Sequence, residues 1–263
     1  MTRYPTGSLA RSRDRIAWHH SHRRRHEAGT TGLFRQLVLL VLAALAYFGV
    51  RGMTQSRVAT AFKHADDVIG AEKAIGLSWE ASLQNAILDH SWVVTAVNWV
   101  YIYGHWPVVI GVLIWLFIRH RESYFTLRDA MFISGAIGLV VFMVFPTAPP
   151  RLVELGLLDT VTDRSSSYRT LQPPGLINKY AAMPSLHFGW NLLVGVVLFR
   201  VSRRHIVRAF AIGLPVAMGF AVVATANHYV LDVLAGAVVA LTGLALVGVV
   251  NRTVLALRRR RVR

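Results

Sequence analysis

The chain has 263 residues, 54 % of them hydrophobic, and its mean hydropathy of +0.44 is too apolar for an ordinary soluble domain. The absence of cysteine from the sequence excludes thiol catalysis, disulfides and cysteine-ligated metal sites. The net charge of +16 would suit a nucleic-acid-binding protein, but the basic residues flank long apolar segments. We therefore predict a membrane protein with no nucleic-acid partner.

Six apolar segments recur along the chain, and a helix that spans a membrane needs about 20 such residues. The first is followed by Tyr47, Phe48 and Arg51 and lacks a small-residue cleavage site, so we interpret it as a retained anchor rather than a signal peptide. The sequence predicts an all-α, six-helix membrane domain over residues 33–250. The expected spans lie near 33–50, 92–118, 129–146, 186–201, 206–226 and 231–250.

The distribution of charge predicts the orientation of these spans. With a cytoplasmic N-terminus, 21 of the 29 Lys and Arg residues lie on the cytoplasmic side and nine of the 13 acidic residues lie outside, as the positive-inside rule expects. We therefore predict a multi-pass protein of the plasma (inner) membrane with both termini cytoplasmic. The Arg- and Ala-rich composition indicates a bacterial source.

Both termini are strongly basic. Residues 1–32 are expected to form a disordered arm that binds anionic lipid headgroups, at roughly 1 kcal/mol per basic residue, and the tail 251–263 is interpreted in the same way. The histidines of the arm could instead bind a metal, which is the less favoured alternative.

The first outer segment, residues 51–90, predicts an amphipathic helix in the outer interface. Ile75, Trp79, Leu83 and Ile87 recur every four residues and would form an apolar stripe. Packing of this stripe against the bundle is favoured over a role in guiding a lipid to the site.

Polar residues also occur within the predicted spans, where they usually face the bundle interior. Asn98, Tyr101 and His105 share one face of the second span, and Asn191 lies one turn below His187. Two interpretations stay open for these four residues. They either make hydrogen bonds between helices or contact the headgroup of a lipid.

The long outer loop, residues 147–183, contains Pro149-Pro150 and Pro173-Pro174. Loops of this length are usually functional or disordered. The position of this one between Arg151 and His187 favours a cap over an active site.

The most informative pattern is Pro184-Ser185-Leu186-His187, followed by His228-x-x-x-Asp232. His228 and Asp232, at i and i+4, lie on one face of a helix, so the carboxylate can hold the imidazole in one tautomer. His187 comes from another helix, and Arg151 supplies a cation that can bind phosphate oxygens. The predicted topology places all of these residues at extracytoplasmic ends of spans.

These motifs resemble the type-2 phosphatidic acid phosphatase superfamily, over roughly residues 90 to 240. Leu186, where many phosphatases of the superfamily carry Gly, and the Pro146–Arg151 segment are most similar to its inositol phosphorylceramide synthase branch. Two positions depart from the pattern, with Val144 in place of the expected Lys and Val222 in place of the expected Arg. The phosphate contact of the third motif is then absent or comes from Lys179 or Arg169.

The resemblance implies metal-independent phosphoryl transfer through a phosphohistidine, with no cofactor. In this scheme His228 is the nucleophile, Asp232 orients it and His187 is the general acid, while Arg151 and Ser185 bind phosphate. The substrate would be a lipid phosphate or a lipid phosphodiester, and the acceptor water or an alcohol. The alternative is a non-catalytic phospholipid-binding membrane protein or a transporter, which would not need both His228 and Asp232.

Overall fold

A computed structural model describes residues 30–164 and 178–260 of the chain. The predicted N-terminal arm up to residue 29, Arg169 and the last three residues of the tail lie outside the described residues. The chain divides into one unit that ends at Phe48 and a second that begins at Gly49. The described residues form helices and no β-strand, which confirms the all-α prediction for this part of the chain.

The helices are numbered here in chain order. They are α1 (Thr30–Gln55), α2 (Val58–Ile75), α3 (Glu80–Leu88), α4 (Ser91–Tyr103), α5 (Trp106–Arg119), α6 (Arg121–Val144), α7 (Thr160–Arg164), α8 (Leu186–Val201), α9 (His205–Ala224) and α10 (Val230–Arg260), with a short 3₁₀ turn at Pro150–Leu152.

Each of the six predicted apolar segments coincides with a helix or a pair of helices. In α1, α6, α9 and α10 there are stretches long and apolar enough to cross a membrane, and α4 with α5 would make a fifth span, bent by 44°. Helix α8, with 16 residues, is apolar but shorter. Four or five spans are therefore supported by length and composition, and the sixth stays a prediction.

The second apolar segment is a broken helix rather than the single run that the sequence suggests. Pro107 lies in the first turn of α5, where its missing N–H and fixed φ favour the start of a new helix. Helix α4 ends at Tyr103, and His105 lies between the two helices. The break brings the ring of His105 against that of His187, with the centroids 4.3 Å apart.

The outer segment also differs from its prediction. Gly76, in a left-handed conformation with φ +73°, ends α2, so the predicted apolar stripe is interrupted. Ile75 and Trp79 are exposed, whereas Ile87 is buried. The buried face of α2 is instead formed by residues spaced three and four apart, namely Ala61, Ala65, Val68 and Glu72.

Helix α8 lies at the centre of the packing that positions the site. It packs against α9 and α10, and α10 packs against α6. A Cβ atom at Gly236 of α10 would collide with the backbone carbonyl of Ser185. The glycine therefore lets the start of α8 approach the start of α10, as small residues do between membrane helices.

Candidate active site

Backbone hydrogen bonds join the two ends of the outer loop. The Thr147 amide donates to the Tyr180 carbonyl at 2.9 Å, and the Ala182 amide donates to the Thr147 carbonyl at 3.2 Å. The amide of Ser185 also donates to the backbone carbonyl of Asp232 at 2.9 Å. These bonds bring the segments that carry Arg151, His187 and Asp232 together.

His228 lies in the turn between α9 and α10, and its ring has a defined tautomer. Its Nδ1 is 2.7 Å from the carbonyl oxygen of Ala182 and 3.3 Å from Oδ2 of Asp232. Because a carbonyl oxygen only accepts hydrogen bonds, Nδ1 carries the proton and Nε2 keeps its lone pair. The contact with Ala182 has no side-chain signature, so sequence reasoning missed it.

His228 is also buried. Burial lowers the pKa of His228 to about 3; the hydrogen bond to Ala182 opposes this shift, and the positive charge of Arg151 adds to it. The imidazole is therefore neutral at physiological pH, which is the form that a nucleophile requires.

Asp232 is completely buried in the first turn of α10. Its Oδ2 accepts from the Tyr229 amide at 2.9 Å as well as from His228. Its Oδ1 has no hydrogen-bond partner within the described parts of the chain. The carboxylate thus fixes both the imidazole and the backbone that leads into α10.

Two glutamates from the outer segment hold the same helix end. Oε1 of Glu72 accepts from the Leu231 amide at 2.8 Å, and Oε1 of Glu80 accepts from the Val230 amide at 3.0 Å. Both side-chain oxygens satisfy amides that have no partner within the helix, and the carboxylate of Glu80 also interacts with the helix dipole. Sequence reasoning missed both residues because Glu in an amphipathic segment is normally solvated.

The two carboxyl groups also interact with each other. Burial raises the pKa of Glu72 to about 8; the bond from the Leu231 amide opposes this, whereas the charge of Glu80 and a hydrogen bond with it raise the pKa further. Glu72 is therefore mostly protonated at neutral pH, which reduces the repulsion within this buried pair.

Arg151 makes three contacts within the site. Its Nη1 donates to Oδ1 of Asn227 at 2.6 Å, its Nε is 3.1 Å from Oδ2 of Asp159, and its amide donates to the Ala226 carbonyl at 2.9 Å. Ala226 has φ +57°, a left-handed conformation that is unusual outside glycine and that concentrates at functional sites. Asn227 and Asp159 were not predicted from the sequence, although Asn227 is adjacent to His228.

His187 lies in the first turn of α8 and faces His228, with the ring centroids 6.0 Å apart. Its Nε2 is buried and has no partner among the described residues. Ser185 is the N-cap of α8, and its Oγ accepts from the Phe188 amide at 3.4 Å. The contact of Ser185 with phosphate stays a prediction.

The remaining predicted residues divide into two groups. Tyr101, His105 and Asn191 gather around His187. Asn98 instead hydrogen-bonds Thr160 of α7 in both directions, at 2.8 and 3.0 Å, which favours the helix-contact interpretation for that residue. Lys179 is exposed in the turn that follows Asn178, and Arg169 lies outside the described residues.

The two positions that depart from the family pattern have different surroundings. Val222 is buried in an apolar cluster with Tyr101 and Met218, and its carbonyl accepts from the His228 amide at 3.0 Å. Val144 is exposed at the end of α6. Through its backbone, position 222 thus still supports the turn that carries His228.

Residues 30–164 and 178–260 contain no group of three or more His, Asp or Glu side chains arranged to hold a metal ion. They do combine a neutral histidine that has a free Nε2, a second histidine opposite it and an arginine beside it. This combination suits attack on phosphorus with stabilisation of the phosphate charge.

Comparison with known proteins places this geometry in context. The pattern of the PAP2 superfamily matches residues 66–246. The crystal structure of Aquifex aeolicus LpxE has a similar fold, with a TM-score of 0.50 and 17 % sequence identity over 64 % of this chain and 91 % of that chain. Comparison with curated proteins gives no match.

Proposed function

The chain belongs to the PAP2 superfamily, and on that premise we propose that it transfers a phosphoryl group from a membrane lipid through phosphorylated His228. Family membership and the apolar helices support a membrane phosphatase in general terms. The observation that carries the specific mechanism is the state of His228, whose Nδ1 proton is held by Ala182 and Asp232.

In the first step, Nε2 of His228 attacks phosphorus and the bond from phosphorus to the lipid oxygen breaks. His187, in its protonated form, transfers a proton to that departing oxygen. Arg151 binds the phosphate oxygens and neutralises their charge, which is the main requirement of phosphoryl transfer. Asp232 stabilises the positive charge that develops on His228 as the new bond forms.

In the second step, water or an alcohol attacks the phosphohistidine. His187 accepts the proton of the attacking oxygen, the phosphorus–nitrogen bond breaks, and His228 returns to its neutral form. Water as the acceptor makes the enzyme a lipid phosphatase. The resemblance to the inositol phosphorylceramide synthase branch supports an alcohol acceptor, which would make it a phosphotransferase.

The proposed location is the outer face of a bacterial plasma membrane, with both termini cytoplasmic. The support is the excess of Lys and Arg in the segments on the opposite side. The lipid chains would lie against the apolar outer surface of the helices, and the basic termini would bind anionic lipids.

The test is turnover by purified protein in the presence of EDTA. Phosphatidic acid, polyprenyl phosphates and phosphatidylinositol are supplied with and without an alcohol acceptor, and free phosphate and new phosphate esters of the alcohol are measured. His228→Ala is expected to abolish turnover and the acid-labile phosphoprotein, whereas His205→Ala, an exposed histidine at the start of α9, should retain both.

The products decide between the two reactions. Free phosphate identifies a phosphatase. A phosphate ester of the added alcohol identifies a transferase, and it is a monoester when the donor is a lipid phosphate and a diester when the donor is phosphatidylinositol. Unchanged turnover in His228→Ala would overturn the mechanism. A wild-type protein that binds these lipids without converting any of them would favour the non-catalytic alternative.

A further inference from the structure

Four aromatic rings form a column that includes His187. Tyr101 stacks on His187 with centroids 4.9 Å apart and an interplanar angle of 15°. The ring centroid of His187 is also 4.3 Å from that of His105, and the two ring planes are tilted by 38°. The centroids of His105 and Trp190 are 5.9 Å apart, and their rings are nearly parallel, at 19°. Rings from α8 thus alternate with rings from the α4–α5 segment.

Two features anchor this column. The indole N–H of Trp190 donates to Oγ of Ser134 on α6 at 3.2 Å. His187 and Trp190 are three residues apart within α8 and therefore extend from one side of that helix, whereas Tyr101 lies in α4 and His105 lies in the break that follows it. The sequence spacing and the break at Pro107 together let the two pairs interdigitate.

Asn191 determines the tautomer of His105. Its Nδ2 lies 2.8 Å from the carbonyl oxygen of His187 and 3.1 Å from Nδ1 of His105. Because the carbonyl oxygen of His187 can only accept a hydrogen bond, the Asn191 atom that contacts it must be the amide nitrogen, which donates. Nδ1 of His105, which contacts the same nitrogen, must therefore also be an acceptor. His105 is therefore neutral, with its proton on Nε2.

We propose that His105 is a positioning residue. It holds the ring of His187 so that Nε2 of His187 faces the oxygen that leaves the phosphorus. This inference rests on the proposed function. The column restricts rotation of the His187 ring, while its buried Nε2 has no partner among the described residues and can serve the reaction. Since protonating Nδ1 of His105 would oppose the Asn191 amide, His105 does not compete with His187 for a proton.

The polarity of the cluster supports a role beyond space filling. His105 and Asn191 are both buried, at 3 % and 0 % exposure, and buried polar groups are costly unless they are hydrogen-bonded. Asn191 uses one nitrogen for two acceptors, and its Oδ1 has no partner in the described part of the chain. An apolar pair would fill the same volume without this cost.

The experiment separates positioning of a general acid from general structural damage. Dodecyl phosphate has a poor leaving group that needs a proton, whereas a dodecyl-substituted nitrophenyl phosphate has a leaving group that does not. The release of each leaving group in the first turnover is measured for wild type, His105→Ala, His105→Phe and Asn191→Leu. Correct folding is checked by thermal unfolding.

General acids contribute about 10²- to 10⁴-fold, and displacements of about 1 Å cost up to about 10²-fold. We therefore expect His105→Ala to slow the alkyl substrate about 10- to 100-fold and the aryl substrate by less than about threefold. His105→Phe, which retains a ring in the column but loses the hydrogen bond from Asn191, should slow the alkyl substrate less than His105→Ala does and stay within about threefold of wild type on the aryl substrate.

The outcomes keep the two proposals apart. Equal losses on both substrates, or no loss in His105→Ala, would overturn the role of His105 while the phosphohistidine mechanism stands. If His105→Ala does not fold, Asn191→Leu decides, because it frees the tautomer of His105 and should slow only the alkyl substrate. Normal turnover of both substrates by His228→Ala would instead refute the underlying mechanism.

Discussion

Glu80→Ala is the most direct test of how the outer segment supports the site. Glu80 begins α3 and is 5 % exposed, and its carboxylate accepts from the Val230 amide at 3.0 Å, at the start of α10. The substitution would leave that partly buried amide without its hydrogen-bond partner. It would also remove a negative charge from the positive end of the helix dipole.

The expected loss follows from this contact. Hydrogen bonds to charged groups contribute about 1.5–3 kcal/mol, which corresponds to a decrease of roughly 3–12 °C in the midpoint of thermal unfolding for a domain of this size. Glu80→Gln keeps an acceptor oxygen and reduces repulsion with Glu72, so its midpoint should stay within about 3 °C of wild type.

The assay is thermal unfolding of the purified protein in one detergent, with turnover measured in parallel. Because Val230 lies two residues from His228, loosening of this helix end should also lower kcat. Equal midpoints for Glu80→Ala and wild type would refute the reasoning. Equal losses in the Ala and Gln variants would show that charge, rather than the hydrogen bond, is what matters.

Three further predictions follow from the same contacts. Burial raises the pKa of Glu72 from 4.5 to about 8, so its contribution to stability is fully present below about pH 4.5, declines as the pH rises and is lost by about pH 8. Glu72→Gln should therefore make the midpoint of thermal unfolding less dependent on pH over this range. An unchanged dependence on pH would contradict the assignment. Gly236→Ala should abolish most turnover because its Cβ would collide with the backbone at the start of α8. Gly213→Ala is the control, since position 213 has open space around it, and its turnover should be near that of wild type. Equal activities of the two variants would contradict the close approach of α8 and α10. Asp159 forms an ion pair with Arg151 and competes with phosphate for it. Because an ion pair of this kind contributes about 0.2–1 kcal/mol, Asp159→Asn should lower KM for phosphorylated lipids by up to roughly fivefold. A higher KM in steady-state kinetics would show that Asp159 orients the guanidinium instead.

The parts of the site that depend on local spacing could be predicted from the sequence. The spacing of His228 and Asp232 predicts that their side chains meet, and Nδ1 of His228 lies 3.3 Å from Oδ2 of Asp232. His228 lies in the turn just before α10, however, and not on the helix face that the i, i+4 spacing suggests. Apolar segments likewise predict the helices, because each must bury or shield its own backbone in lipid. The family was recognised from the same short motifs, and the match over residues 66–246 confirms it, while the synthase branch stays a prediction.

Contacts between distant residues could not be predicted in this way. The acceptors for the start of α10, Glu72 and Glu80, are 159 and 150 positions away from the amides that they bind. The carbonyl of Ala182 and the carboxylate of Asp159 belong to an outer loop whose course no periodicity indicates. The predicted stripe through Ile75 and Trp79 was wrong because the turn at Gly76 separates the helices that carry it.

The sequence by itself therefore determined the class of protein and the helical segments, since hydropathy and motif spacing act over short stretches of chain, and it predicts the reacting residues. The tertiary structure alone decided which groups complete the site. Backbone carbonyls and buried carboxylates become specific partners only when packing of α8 against α10 removes water and brings distant segments within hydrogen-bond distance. For this reason the tautomer of His228 and the ring column around His187 became visible only in the folded molecule.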